Sequence, residues 1–107
     1  MEATIRAGGN VTTLLNILAV EPENQQTLVA ALKEGTQTFF SKMPGFISSS
    51  ILIGKNGRQV INYSQWRSTD DIEAFRRNPD FGFYIREIVA LSKGEVIACD
   101  VAFVQAA

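Results

Sequence analysis

The stretch 95–105 is apolar on both sides of what must be a strand. Ile97, Cys99, Val101 and Phe103 fall on one parity; Val96, Ala98, Ala102 and Val104 fall on the other, and Asp100 is the only interruption. Successive side chains of a strand point to opposite faces of its sheet, so such a stretch needs apolar cover on both faces. Residues 11–20, a run of Thr, Leu, Ile and Val, behave the same way and predict a central strand. Any fold for this chain has to say what lies on each side of these two strands.

The segments between them supply one layer of cover. Pro22 suits the first turn of a helix, and Leu28, Leu32, Gly35 and Phe39 then share a helical face that stops before Pro44-Gly45. A second strand is expected over 46–54, a tight hairpin turn at Asn56-Gly57, and a third strand over 59–66. Ser68 and Asp71 have the spacing of a capping box and start a short helix through Phe75, which Pro79 interrupts. A further helical piece from Phe81 to Leu91 places Phe81, Tyr84, Ile85, Ile88 and Leu91 on one side, and Gly94 is expected to end it. The order βαββαβ predicts an α+β, ferredoxin-like fold, an antiparallel sheet with helices on one face. Helices on one face leave the other face of the doubly apolar strands bare. A second copy of the sheet, in a two-fold homodimer, is the simplest cover; a different protein is the alternative.

The 107 residues allow one domain, expected over residues 11–107 after a loose lead-in at residues 1–10 that ends in Gly8-Gly9. Hydrophobic residues make up 46% and charged residues 20%, a globular rather than a disordered balance. A formal net charge of −1 and a single adjacent basic pair, Arg76-Arg77, give no footprint for nucleic acid or an anionic membrane. Cys99 is the only cysteine, so no intrachain disulfide can form and a cytoplasmic setting is expected. No apolar run is long enough for a bilayer, and the first ten residues lack the apolar core of a signal peptide.

Histidine is absent. That removes the commonest general base, the commonest metal ligand and the usual haem ligand. No metal site is expected, and no serine has a histidine to activate it; Ser48-Ser49-Ser50 reads as sheet surface. No nucleotide-binding glycine loop, zinc-protease motif or paired C-x-x-C occurs.

Chemistry, if present, has to come from the space between sheet and helices, where one segment stands out. In Asn62-Tyr63-Ser64-Gln65-Trp66, residues Asn62, Ser64 and Trp66 share a strand face with Val60. An amide and the chain's single indole on an otherwise aliphatic face suit a cavity that orients something polar. The plain structural readings stand beside this one. A Trp at a strand end is often a core anchor whose N–H meets a carbonyl, Asn62 can cap a loop, and Ser64 can be filler. Phe39, Phe75, Phe81 and Tyr84 are core residues first and walls for a flat ligand second.

Pro44-Gly45-Phe46, the run Val60-Ile61-Asn62-Tyr63-Ser64-Gln65-Trp66-Arg67-Ser68 and Ile85-Arg86-Glu87 together resemble the antibiotic biosynthesis monooxygenase family, over residues 11–104. The resemblance implies a dimeric ferredoxin-like assembly. It also implies relatives that oxidise anthrone-like aromatics to quinones with molecular oxygen, without metal, flavin or haem. By it, Asn62, Trp66 and Arg86 match active-site positions. The two neutral donors and the guanidinium could then stabilise an anion formed from an electron-rich phenol.

Three departures qualify that match. The tyrosine that passes a proton in the polyketide-oxidising relatives is Ile72 here, with Tyr84 as a conceivable substitute. Arg86 lies roughly 160° from the centre of its helix's apolar stripe at about 100° per residue, which by pattern alone makes it solvated. Asn16 and Trp66 echo the asparagine and tryptophan of haem-degrading siblings, but the histidine ligand of those enzymes is missing. The expected function is a cofactor-free monooxygenase acting on a small electron-rich aromatic, with Asn16, Phe39, Ser64, Ile72, Phe75, Phe81 and Tyr84 around the substrate. A non-catalytic dimeric binder of small ligands is the alternative, followed by an isomerase or lactone-handling enzyme on the same scaffold.

Overall fold

The computed structural model describes Ile5 and residues 11–107; the lead-in expected over residues 1–10 otherwise lies outside the described residues. The elements follow in the order β1 (Thr12–Val20), α1 (Gln25–Thr38), β2 (Phe46–Ile53), β3 (Gln59–Trp66), α2 (Thr69–Arg77), α3 (Phe81–Leu91) and β4 (Ser92–Cys99), with single 3-10 turns at Pro22–Asn24 and Phe40–Lys42. The sheet order is β2-β3-β1-β4, and β1 pairs antiparallel with both β3 and β4. This is the ferredoxin-like α+β arrangement, and among the described residues no helix is long and apolar enough to cross a membrane.

Alternation along the central strands sorts their side chains. Leu18, Val20 and Val60 are buried against Leu28 and Leu32 of α1 and Ile88 of α3. A second buried cluster of Phe39, Trp66, Ile72 and Phe75 lies toward the other end of β3. Gln25 joins helix to hairpin: its Nε2 donates to the carbonyls of Gly54 and Gln59 at 3.1 and 3.0 Å. This buried amide gives each carbonyl a second hydrogen bond, beside those they accept from Gly57 N–H and Gly54 N–H.

The hairpin between β2 and β3 is wider than a two-residue turn. Gly57 N–H donates to Gly54 O at 3.0 Å, Asn56 Oδ1 accepts from Arg58 N–H at 2.9 Å, and Gly57 sits at φ +78°. Before β2, Gly45 has φ +85°, and a Cβ there would collide with the Asp71 side chain, so Pro44-Gly45-Phe46 requires its glycine. The capping box forms as expected. Ser68 Oγ accepts from Asp71 N–H at 3.2 Å and donates to Asp71 Oδ2 at 2.9 Å, and α2 continues past Phe75 to Arg77.

The last strand differs from the expectation. It spans Ser92–Cys99 rather than 95–105, and α3 runs into it directly. Gly94 does not end the helix but pairs with Leu18 inside the sheet, where a Cβ would lie 2.5 Å from Leu18 Cδ2. β4 is an edge strand, so Ser92 and Lys93 start it without a buried polar group. Residues 101–107 continue beyond the sheet, with Phe103 exposed.

The face away from the helices carries Leu15 and Ile17 of β1, Ile61 and Tyr63 of β3 and Ile97 of β4, by the register of the pairings. No described helix lies over it.

Candidate active site

A part-enclosed cavity of about 90 Å³ lies between the sheet and the helices. Its sheet wall comes from three strands: Leu14 and Asn16 of β1, Ser49 of β2, and Asn62, Ser64 and Trp66 of β3. Asn16 and Asn62 are direct partners in the β1–β3 register, so the two amides sit side by side. Opposite them are Phe40, Phe75, Phe81, Ile85 and Ile88. One wall is therefore hydrogen-bonding and the other aromatic or aliphatic, the division that orients a flat ligand by one edge.

Of the residues singled out in the sequence, Asn16, Asn62, Ser64, Trp66, Phe75 and Phe81 line this cavity. Phe39, Ile72, Tyr84 and Arg86 do not. Phe39 and Ile72 are buried in the adjoining core, and the Phe39 ring stacks on Tyr84 at 4.8 Å between centroids. Tyr84 and Arg86 instead border a shallow external groove of about 440 Å³ between α1 and α3, with Glu34 and Glu87. Arg86 is exposed, so helical phase rather than motif resemblance describes its position within the chain. The groove is the larger space, but charged residues border it on the outer surface of the helices.

Several lining residues were not singled out. Phe40, rather than Phe39, faces the cavity because α1 stops at Thr38 and Phe39 leaves helical geometry at φ −125°, ψ −67°. Arg76 of α2 is the only charged residue on the lining among the described residues; its side chain is 40% exposed and lies 3.6 Å from Glu73, which places it at the rim. Ser49 was read as sheet surface. The hairpin register pairs it with Ser64, two residues from Asn62 on the same face, and that register was the available signal.

The polar groups are already partly engaged. The Trp66 indole N–H donates to Ser64 Oγ at 3.1 Å, and Ser64 Oγ lies 3.4 Å from Leu14 O, to which it donates. Trp66 is 2% exposed, stacks on Phe75 at 4.7 Å and meets the Phe46 ring edge-on at 5.3 Å. Its N–H is thus satisfied within the protein, and the ring acts as a wall. Ser49 Oγ donates to Asn62 Oδ1 at 2.7 Å, which occupies the oxygen of the Asn62 amide and leaves its nitrogen. Asn62 is therefore a donor this wall can present, beside the Asn16 amide, which lines the same wall. Arg76 at the rim adds positive charge, while among the described residues no carboxylate, thiol or phenol lines the space.

Residues 12–87 match the family described as Antibiotic biosynthesis monooxygenase. The chain belongs to that family of monooxygenases. Tetracenomycin-F1 monooxygenase from Streptomyces glaucescens is 34% identical over 99 residues, which cover 92% of this chain and 88% of that protein. The fold of this antibiotic biosynthesis monooxygenase is also that of SnoaB, a cofactor-independent oxygenase from Streptomyces nogalater. The TM-score is 0.76 at 21% identity, over 90% of this chain and 97% of that one. A conserved protein from Methanosarcina mazei Go1 shares it with a TM-score of 0.75 at 13% identity, over 85% and 92% of the two chains.

Proposed function

We propose that this protein oxidises an electron-rich aromatic, a phenol, hydroquinone or anthrone, to a quinone with molecular oxygen and without a metal or organic cofactor. The observation that carries the proposal is the cavity's division, with the Asn62 amide nitrogen on one wall and Phe40, Phe75 and Phe81 on the other. The similarity to a tetracenomycin-F1 monooxygenase supports the same reading.

Such a substrate supplies its own electrons. Loss of a phenolic proton gives a delocalised enolate, which reduces oxygen by one electron; recombination at carbon gives a peroxide, and loss of water leaves the carbonyl. For an anthrone methylene, one molecule of oxygen is consumed and both C–H bonds at the reacting carbon break. One oxygen atom forms the new C=O bond, and the other leaves with the two hydrogens as water. The protein has to hold the ring, favour the anion and keep bulk water from the peroxide. Asn62 N–H donors and the Arg76 charge favour the anion. Since no acid or base except Arg76 lines the cavity, the phenolic proton leaves to solvent before or during binding. The rate should then rise with pH along the substrate's own ionisation.

A cavity of about 90 Å³ holds about three waters at ~30 Å³ each, so a fused-ring substrate enters only if aromatic side chains swing aside. Phe40, Phe46 and Phe81 are the half-buried rings of the lining, and in this proposal they are the ones that move. In the same proposal, a second copy of the chain covers the apolar sheet face. The decisive experiment is oxygen uptake in chelator-treated, metal-free buffer with a panel of hydroquinones and dihydroxyanthracenones. Stoichiometric uptake with quinone formation is expected. Saturable binding without uptake across the panel would leave a ligand-binding protein instead.

A further inference from the structure

We propose that Ser49 is a positioning residue that fixes which end of the Asn62 amide faces the cavity. This rests on the oxidation proposed above for its chemical meaning, but not for its geometry. A carboxamide can turn end for end within the same volume, and the two orientations are electrostatic opposites. With nitrogen inward, the wall offers N–H donors to an anion; with oxygen inward, it presents a carbonyl dipole that repels one. A fixed partner has to decide between them.

Ser49 is that partner. Its Oγ lies 2.7 Å from Asn62 Oδ1, a separation typical of O–H···O bonds and short for N–H···O. The contact crosses from β2 to β3 on the diagonal: Ser49 pairs with Ser64, and Ile51 pairs with Asn62. Diagonal neighbours on one face are the next-nearest pairs across two strands, and here the Asn62 amide spans that gap to the Ser49 hydroxyl, so the register of the hairpin sets up the contact. Ser49 and Asn62 both line the cavity, and no protein acceptor among the described residues takes an Asn62 Nδ2 hydrogen. Among the described residues no fully buried side-chain nitrogen or oxygen lacks a partner, so Nδ2 borders open space rather than a sealed interior. Ser49 donates its proton to the amide oxygen, and the nitrogen is left for the ligand.

Two measurements test this, one of them without ligand. In the free protein, NMR should show no strong NOE between the Asn62 side-chain amide protons and the Ser49 Hβ protons. A strong NOE would mean that nitrogen faces Ser49, and would overturn the proposal whether or not the protein turns over. In the oxygen-uptake assay, Ser49→Ala should lower kcat about tenfold, the scale of one hydrogen bond, with KM nearly unchanged. Ser49→Thr, which keeps the hydroxyl, should restore kcat to within about threefold of the parent protein. In an Asn62→Ala background, Ser49→Ala should add nothing, since there is no amide left to orient. A Ser49→Ala loss that multiplies with Asn62→Ala, or a Ser49→Thr variant as poor as Ser49→Ala, would assign Ser49 a role of its own or a structural one. If the parent protein consumes no oxygen with any compound of the panel, the proposed oxidation falls, and the NOE still decides the orientation.

Discussion

At the scale of single residues, Asn62 and Trp66 part company. Both sit on the same face of β3, and from sequence both are neutral donors. The indole N–H is taken by Ser64 Oγ at 3.1 Å, whereas Asn62 accepts from Ser49 through Oδ1 and its nitrogen donates in none of the described hydrogen bonds. Asn62→Ala should therefore cost about 100-fold or more in kcat, the range seen when a single oxyanion donor is removed. Trp66→Phe keeps an aromatic wall and should cost less than about tenfold in kcat while lowering the stability of the fold by about 1–3 kcal/mol. Steady-state kinetics with thermal melts of both variants separate the two outcomes, and equal kinetic losses would return the indole to the chemistry. The two arginines divide similarly. Arg76 lines the cavity and Arg86 the outer groove, so Arg76→Ala should impair kcat/KM for ionised substrates about tenfold and Arg86→Ala should leave it within about twofold. The reverse ranking would assign the cation to Arg86.

At the scale of elements, α2 carries an electrostatic cap that pH can remove. Arg67 donates to Asp71 through Nε and Nη2 at 3.0 and 2.9 Å, and Ser68 adds a third hydrogen bond. The Arg67 hydrogen bond, followed by that from Ser68, holds the Asp71 carboxyl below its ordinary range. A carboxylate whose folded pKa is depressed contributes stability above its unfolded pKa and loses that contribution as pH falls through the folded one. Asp71→Asn should thus melt at a lower temperature than the parent protein at neutral pH, and the gap should narrow once pH drops below the ordinary carboxylate range. A gap of constant size across that range would show that the charge contributes nothing. Because the Arg67 side of the pair is exposed to solvent, added salt should shrink the gap too.

The elements also show what pattern reading can and cannot see. The Ser68–Asp71 cap and the Leu28–Leu32–Gly35 stripe were legible because each depends on spacing within one element. The start of β4 was not, since Ser92, Lys93 and Gly94 read as a helix end, and only pairing with β1 makes them strand. Ser49 and Phe40 were missed for the same kind of reason. One depends on the register across a hairpin, the other on a departure from helical geometry at the single residue Phe39.

For the whole molecule, the bare sheet face is the feature that the single chain does not resolve. Leu52 and Ile97 remain exposed on it, beside Leu15, Ile17, Ile61 and Tyr63. In solution the protein should sediment at twice the 11.8 kDa of one chain, and Ile61→Lys with Ile97→Lys should shift it toward monomer. A stable monomer in the parent protein would mean that the doubly apolar strands need another explanation or another partner.

The sequence by itself determined the order of elements, the antiparallel sheet with one helical layer, and the polar face of Asn62, Ser64 and Trp66. These follow from periodicities of about two and 3.6 residues, which are properties of a local chain. Only the tertiary structure decided which residues surround the cavity, which arginine reaches its rim and which partner the Asn62 amide meets. Each of those depends on a contact between strands or between sheet and helix, where a shift of one residue in register or a single turn of helix exchanges one neighbour for another.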